Sequence, residues 1–277
     1  MPTRPGNAQT SEMIALIPAA GRATRIRPLP CSKEIYPVGL ALNRGTTGIR
    51  PKVTCHYLLE KMRMAGIKKG FIILRDGKWD IPAYCGDGTF VDMHIAYLTV
   101  RNSPGPPYTL DQAFPFVQDA HIAFGFPDIL FRPDDVFVQL KNKLRLAKAE
   151  VVLGLFPAAD HRMMDMVDID SKGTVTAVYL KPHRTLLKYA WLCAVWSPYF
   201  TRFLHQYLRS LTLPEDVDAS QERQYVEKEL SVGHVLQAAV SHGLHMQTVL
   251  FKRGRYVDIG TPEGLRSVSR SARNEAQ

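Results

Sequence analysis

The residues best suited to chemistry lie between Met13 and Val38. An apolar run, Met13 to Ile17, reads as a buried strand. Pro18 has no N–H to donate and is expected to end that strand's ladder. Ala19, Ala20, Gly21 and Ala23 follow, and the same loop carries Arg22, Arg25, Arg27 and Lys33. Small residues after a strand let backbone N–H groups approach a phosphate closely. Cations on the same loop neutralise its charge. The loop is neither a Gly-Lys-Ser/Thr phosphate loop nor a three-glycine dinucleotide fingerprint.

The order of residues resembles the sugar-1-phosphate nucleotidylyltransferases, whose signature is similar to Gly-x-Gly-Thr-Arg, a spacer, then Ser/Pro-Lys and a proline. Here it stands as Gly21-Arg22-Ala23-Thr24-Arg25, a spacer, then Ser32-Lys33-Glu34-Ile35-Tyr36-Pro37. Ser32-Lys33 is similar to the glucose-1-phosphate thymidylyltransferase branch. Ile17-Pro18-Ala19-Ala20-Gly21 and Lys33-Glu34 look more like the uridylyltransferase branch. Ala23 occupies a usual glycine position; if that position has φ > 0, alanine costs roughly 1 kcal/mol there.

The resemblance implies joining of a nucleoside triphosphate, dTTP or UTP, to a sugar 1-phosphate such as glucose 1-phosphate, with release of pyrophosphate. The attacking phosphate oxygen is already ionised near neutral pH, because the second pKa of a phosphate monoester is about 6. No side-chain nucleophile or general base is needed. The obstacle is charge, which calls for cations and a metal held by carboxylates. On the family pattern Arg25 and Lys33 are the catalytic triphosphate clamps, and Ala20 and Gly21 touch the nucleotide. Gln112 falls near the base-reading loop. Lys181, in Leu180-Lys181-Pro182, holds the sugar phosphate, although Leu180 replaces the family's usual acid. Cys193 stands near a position that is often glycine beside the sugar. Asp128, in Phe126-Pro127-Asp128, and Asp258, in Asp258-Ile259-Gly260-Thr261-Pro262, are the Mg²⁺ ligands the resemblance implies; hard oxygens beside phosphates suit that ion. It also implies a homo-oligomer. A silent nucleotide-sugar-binding relative, or the same chemistry with CTP, GTP or ATP, is the alternative.

Composition narrows the classes. The 277 residues are 45% hydrophobic and 22% charged, as in ordinary globular proteins. The net charge of +9 comes from scattered residues, not one basic run, and no aromatic-plus-basic stacking motif accompanies it. It suits small anionic substrates and gives no case for nucleic acid. Cys31, Cys55, Cys85 and Cys193 form no Cys-x-x-Cys pair, which argues for neither a zinc site nor a disulfide framework. No apolar run approaches ~18 residues, and no signal-like segment opens the chain, so the expected setting is the cytoplasm, away from membranes. His242 and His245 straddle Gly243 and read as a surface pair. Asp134, Asp135, Asp168 and Asp170 read as caps and turns.

These residues need a frame. Strands are expected at 71–74, 93–100, 121–125, 151–156, 190–196 and 248–251. A hairpin is expected from 166–169 to 175–180 around Asp170-Ser171-Lys172-Gly173. Helices are expected from Pro51 to Ala65, at 79–85, from Val136 to Ala147, from Tyr199 onward, from Val226 to Val240, and briefly after Thr261-Pro262. Residues 39–48 read as an irregular excursion and 211–224 as a loop. The alternation predicts an α/β, Rossmann-like three-layer sandwich with a mixed, mostly parallel sheet; the resemblance makes it GT-A-like. The expected organisation is one domain over 12–266, with 12–157 mainly for the nucleotide and 158–266 mainly for the sugar phosphate. Tails are expected at 1–11 and 267–277. Ligands of such sheets sit beyond the carboxyl ends of the strands, where the Gly21 loop and Asp128 should meet.

Overall fold

A computed structural model of the chain describes residues 12–42, 48–101, 103–211 and 230–274. The expected N-terminal tail, the expected loop beyond Leu211 and the expected start of a helix at Val226 lie outside the described residues.

The apolar segments assemble into one nine-stranded sheet. Its centre is β1 (Met13–Ala19), flanked in parallel by β4 (Lys69–Arg75) and β6 (His121–Gly125), with β5 (His94–Val100) outside β4. Next to β6, β11 (Tyr189–Trp196) runs antiparallel, and it also pairs antiparallel with β8 (Val151–Pro157). β12 (Met246–Leu250) lies parallel to β8, while β9 (Met166–Ile169) and β10 (Val175–Tyr179) form the expected hairpin at the other side of β11. Only β11 and β10 oppose the other strands, so the sheet is mixed and mostly parallel.

Helices cover both faces. On one, α1 (Thr54–Met64), α2 (Asp80–Cys85) and α5 (Val136–Ala147) bury Leu58, Leu59, Met62, Ile81, Phe137 and Leu140 against the sheet. On the other, α3 (Pro106–Asp111), α6 (Pro198–Leu211) and α7 (Val232–Ser241) bury Leu110, Phe200, Leu204, Val235 and Leu236. Each such side chain contributes about 1.5–3 kcal/mol on burial. A short turn of helix, α4 (Phe114–Val117), takes Pro115 in its first turn, where a missing N–H costs nothing.

Several boundaries differ from expectation, each for a local reason. β1 continues through Pro18 to Ala19, because its ladder with β6 ends at Leu16 and only β4 remains beside it. Residues 39–48 are not an irregular excursion: β2 (Pro37–Leu42) and β3 (Ile49–Val53) form an antiparallel hairpin, residues 43–47 lying outside the described set. Pro51 sits in β3, and the helix begins three residues later at Thr54. α7 starts only at Val232, where Ser231 and His234 cap it reciprocally. The last helix, α8 (Pro262–Asn274), is not short; it carries on to Asn274, into the segment expected to be a tail. Two strands went unseen in the sequence, β7 (Ile129–Arg132) and β13 (Arg255–Asp258), which pair into a separate ribbon. No described helix is long and apolar enough to cross a membrane.

Candidate active site

Because β4, β1 and β6 are parallel neighbours, the turns that follow them meet on one edge of the sheet. After β1 the chain makes a tight turn through Ala23, at φ 53° and ψ 33°, into a single 3-10 turn at Thr24–Ile26. The family's glycine position is therefore left-handed here, occupied by alanine at a cost of roughly 1 kcal/mol. A second 3-10 turn, Lys33–Ile35, brings the chain back. Two outside contacts pin that turn. The Ser32 N–H and hydroxyl donate to the two Asp80 oxygens at 2.7 and 2.8 Å, and the Thr54 hydroxyl donates to the Tyr36 carbonyl at 3.1 Å.

Asp128 arrives from the other side of β1. It follows β6 by a turn in which the Ile129 N–H donates to the Phe126 carbonyl. The β7–β13 ribbon then sets Asp258 opposite Ile129, and the Ile259 N–H donates to the Asp128 carbonyl at 3.1 Å. Two aspartates 130 positions apart thus become neighbours through a pair of four-residue strands. Thr261 closes the arrangement: its hydroxyl accepts from the Gly264 N–H at 3.1 Å and donates to the Asp258 carbonyl at 2.8 Å, as the expected cap of α8.

Gly260 marks the focus. A Cβ placed on it would lie 3.0 Å from both Asp128 Oδ2 and Asp258 Oδ1, and 3.4 Å from an Arg25 guanidinium nitrogen. The absence of a side chain at 260 leaves that space to the two carboxylates. Lys33 forms an ion pair with Asp128, and its ammonium lies 3.7 Å from the Cβ position of Gly21. The structure therefore gathers Gly21, Arg25, Lys33, Asp128 and Asp258. Burial raises the Asp258 carboxyl and the Asp128 charge raises it further, against the Gly260 N–H and Arg25. Burial works to lower the Lys33 ammonium, but Asp128, with Glu34 and Asp258, outweighs it, so Lys33 is held above its ordinary value.

Beneath this group lies a pair the sequence reading did not assign. Lys78 Nζ donates to both Glu34 oxygens at 2.7 and 2.8 Å, and both residues are buried. Lys78 stands in the turn after β4, beside the loop that follows β1. The signal for it was the Asp76-Gly77 turn, which delivers the next residue to the carboxyl edge. Burial raises the Glu34 carboxyl while Lys78 and Lys33 oppose it; burial lowers Lys78 while Glu34 opposes that.

The remaining sequence candidates stand apart. Ala20 packs on the second face beside α3, and Gln112 is exposed at the end of α3. Lys181 is exposed, at φ 41°, just beyond β10. Strand register puts it on the same edge, since Tyr179 pairs Met166, Met166 pairs Ala190, and Cys193 pairs Gly125. Its charge acts on Asp165: burial raises the Asp165 carboxyl, with Lys181 and then His234 pulling it back. Leu180 lies over Gly233 at the start of α7. Cys193 does not stand beside an open sugar site; it is fully buried between strands, filling the space over Gly154. Asp170 caps its turn by accepting from the Lys172 and Thr174 N–H groups, as expected. Asp134 instead pairs with Lys61 and Arg132. Asp135 makes no cap bond and accepts from the Gln139 side chain. His242 and His245 are exposed.

Among the described residues, no three His, Cys, Asp or Glu side chains cluster as a complete metal cage. Two carboxylates flanking a side-chain-free position nevertheless fit Mg²⁺, which usually takes one or two protein carboxylates and completes its shell with water and substrate phosphate.

No family model matches the chain. A glucose-1-phosphate thymidylyltransferase of Streptomyces antibioticus is 23% identical over 261 residues, spanning 94% of this chain and 66% of the relative. The chain therefore covers just under two thirds of that relative's length. A Bacillus anthracis protein assigned as a glucose-1-phosphate thymidylyltransferase, crystallised with sucrose, superposes with a TM-score of 0.74 at 17% identity, over 94% of this chain and 95% of its own. A UDP-glucose pyrophosphorylase bound to UDP-glucose gives 0.74 at 15% identity, over 95% and 99% of the two chains. The fold is that of these two solved structures.

Proposed function

We propose that the protein is a sugar-1-phosphate nucleotidylyltransferase, joining dTTP or UTP to a sugar 1-phosphate, in the first instance glucose 1-phosphate, with release of pyrophosphate. The observation that carries this reading is the meeting of Arg25, Lys33, Asp128 and Asp258 around Gly260, on the edge where the Gly21 loop opens. The resemblance to a thymidylyltransferase and to a UDP-glucose pyrophosphorylase supports the same chemistry and leaves the base and sugar to experiment.

Asp128 and Asp258 would hold Mg²⁺, which would supply positive charge against the triphosphate. Ala20 and Gly21 leave the backbone open to the nucleotide, since neither carries a side chain beyond Cβ. Arg25 presents its guanidinium at the rim, where it can take two phosphate oxygens at once. Lys33, held by Asp128, stands beside Gly21 and changes partner from carboxylate to phosphate when the triphosphate lies along the loop. Its cation then offsets charge developing on the pyrophosphate that leaves. Lys181 meets the phosphate of the sugar, and Gln112 reads the base. A phosphate oxygen of the sugar 1-phosphate attacks the α-phosphorus as pyrophosphate leaves, and it needs no protein base because it is already ionised.

The test is pyrophosphate release with dTTP, UTP, CTP, GTP and ATP, each against several sugar 1-phosphates, with Mg²⁺ and with chelator. Turnover with dTTP or UTP and glucose 1-phosphate, abolished by the chelator, is expected. Failure of every pair to turn over would overturn the proposal.

A further inference from the structure

The Glu34–Lys78 pair is an odd use of buried charge. Neither residue reaches the rim, Glu34 being 1% and Lys78 7% exposed, and a buried ion pair is seldom a net source of stability against an apolar pair. What distinguishes it is its place. Glu34 is the residue after Lys33 in the same 3-10 turn, and Lys78 comes from the neighbouring β4 turn. Lys33 therefore feels two carboxylates, Asp128 in direct contact and its buried neighbour Glu34, and Lys78 engages both oxygens of Glu34.

We infer that Lys78 is a positioning residue that occupies the Glu34 carboxylate and so leaves the Lys33 ammonium committed to the Asp128 and phosphate side of the loop. This role rests on the nucleotidyl-transfer reading. Glu34 without Lys78 is a buried, uncompensated anion whose nearest cation in sequence is Lys33. Lys33 would turn toward it, and the clamp would point away from the triphosphate. Glu34 in turn fixes Lys78, so neither charge can be removed alone, while removing both leaves Lys33 with one carboxylate partner as before.

The experiment compares wild type, Lys78→Met and the double variant Glu34→Gln/Lys78→Met, assayed well below each melting temperature. Lys78→Met is expected to lower kcat on the order of 10- to 10²-fold, the scale of a misplaced reacting group, with the KM for sugar 1-phosphate unchanged. The double variant is expected to recover most of that kcat, because position 34 is then neutral. A purely structural pair would instead lower the melting temperature of Lys78→Met without moving kcat. That outcome, or a double variant no faster than the single one, overturns the inference. If Lys78→Met fails to fold, a folded double variant must have near wild-type kcat; a loss as large as that expected of Lys78→Met also overturns it. Wild-type turnover, measured alongside, separates failure of this inference from failure of the reaction itself. If wild type proves inactive, the shift in melting temperature on adding Mg²⁺ and UTP or dTTP is the readout: Lys78→Met should lose it and the double variant regain it, and an undiminished shift in Lys78→Met overturns the inference.

Discussion

Around Gly260, charged side chains from three distant parts of the chain meet at one point, Asp258 held by the Gly260 N–H and Asp128 paired with Lys33. Around Lys181 there is one exposed lysine in a left-handed conformation, a leucine where the resemblance leads one to expect an acid, and a half-buried aspartate, Asp165. Both regions lie on the same edge of the sheet, yet only the first is prearranged. The difference separates two demands. Stabilising a polyphosphate needs fixed charge, and fixed charge needs buried counter-charge and pinned loops. Choosing a sugar needs hydroxyl partners at particular heights, and these are the residues that depart from the related pattern here. The reaction centre should therefore tolerate little change, while the sugar side should tolerate much.

The largest effect expected from this contrast is at Lys33. Lys33→Ala should lower kcat on the order of 10²–10³, the usual loss for one preorganised donor to transition-state charge. Steady-state kinetics checks this, and near-normal turnover would make Lys33 a surface charge that happens to meet Asp128.

Within the centre the two carboxylates should differ in what they do for the stability of the metal-free protein. Asp128→Asn strands the Lys33 ammonium and should destabilise by about 3 kcal/mol, as when one partner of a buried pair is removed. Asp258→Asn should do the reverse near neutral pH. A carboxyl whose folded pKa is raised binds its proton more tightly when folded, so its contribution is fullest below the unfolded pKa and is lost as pH rises through the folded one. Asparagine removes that loss, and the gain should fade as pH falls toward the ordinary carboxylate range. Melting curves in chelator from acidic to neutral pH test both signs; equal shifts in the two variants would mean the carboxylates are not distinguished by Lys33.

Lys181→Ala should act on the sugar side alone. Roughly a tenfold rise in the KM for sugar 1-phosphate is expected, with kcat and the nucleotide KM retained, as for one charged contact made equally in ground and transition states. An unchanged KM would remove Lys181 from the site. The smallest effect belongs to Ala23→Gly, which relieves the left-handed alanine and should stabilise by at most about 1 kcal/mol without changing kcat. A drop in melting temperature would show that Cβ contacts outweigh the strain.

What could be read from the sequence follows the same division. That Lys33, Asp128 and Asp258 would meet was legible because each sits in a short local motif, Asp128 just after β6 and Asp258 at the end of β13. The central strands and the Val136–Ala147 helix were visible because one face of each is continuously apolar. Lys78 was not, since its role comes from a residue 44 positions away, and a lysine after a Gly turn looks like solvated charge. The β7–β13 ribbon escaped for a related reason: four-residue strands carry too little periodicity, and their pairing is wholly long-range. Cys193 was misplaced because resemblance gives a position along the chain, whereas the side of the strand it faces depends on packing against Gly154.

In the proposed reaction centre Asp128 and Asp258 act together through one Mg²⁺. The most direct test is a Mg²⁺ titration of turnover for wild type, Asp128→Asn, Asp258→Asn and the double variant. Each single change should raise the Mg²⁺ requirement and slow turnover, and the double variant should be much less impaired than the product of the two losses, because residues acting through one ion are not additive. A single variant with the wild-type Mg²⁺ response, or losses that simply multiply, would contradict it.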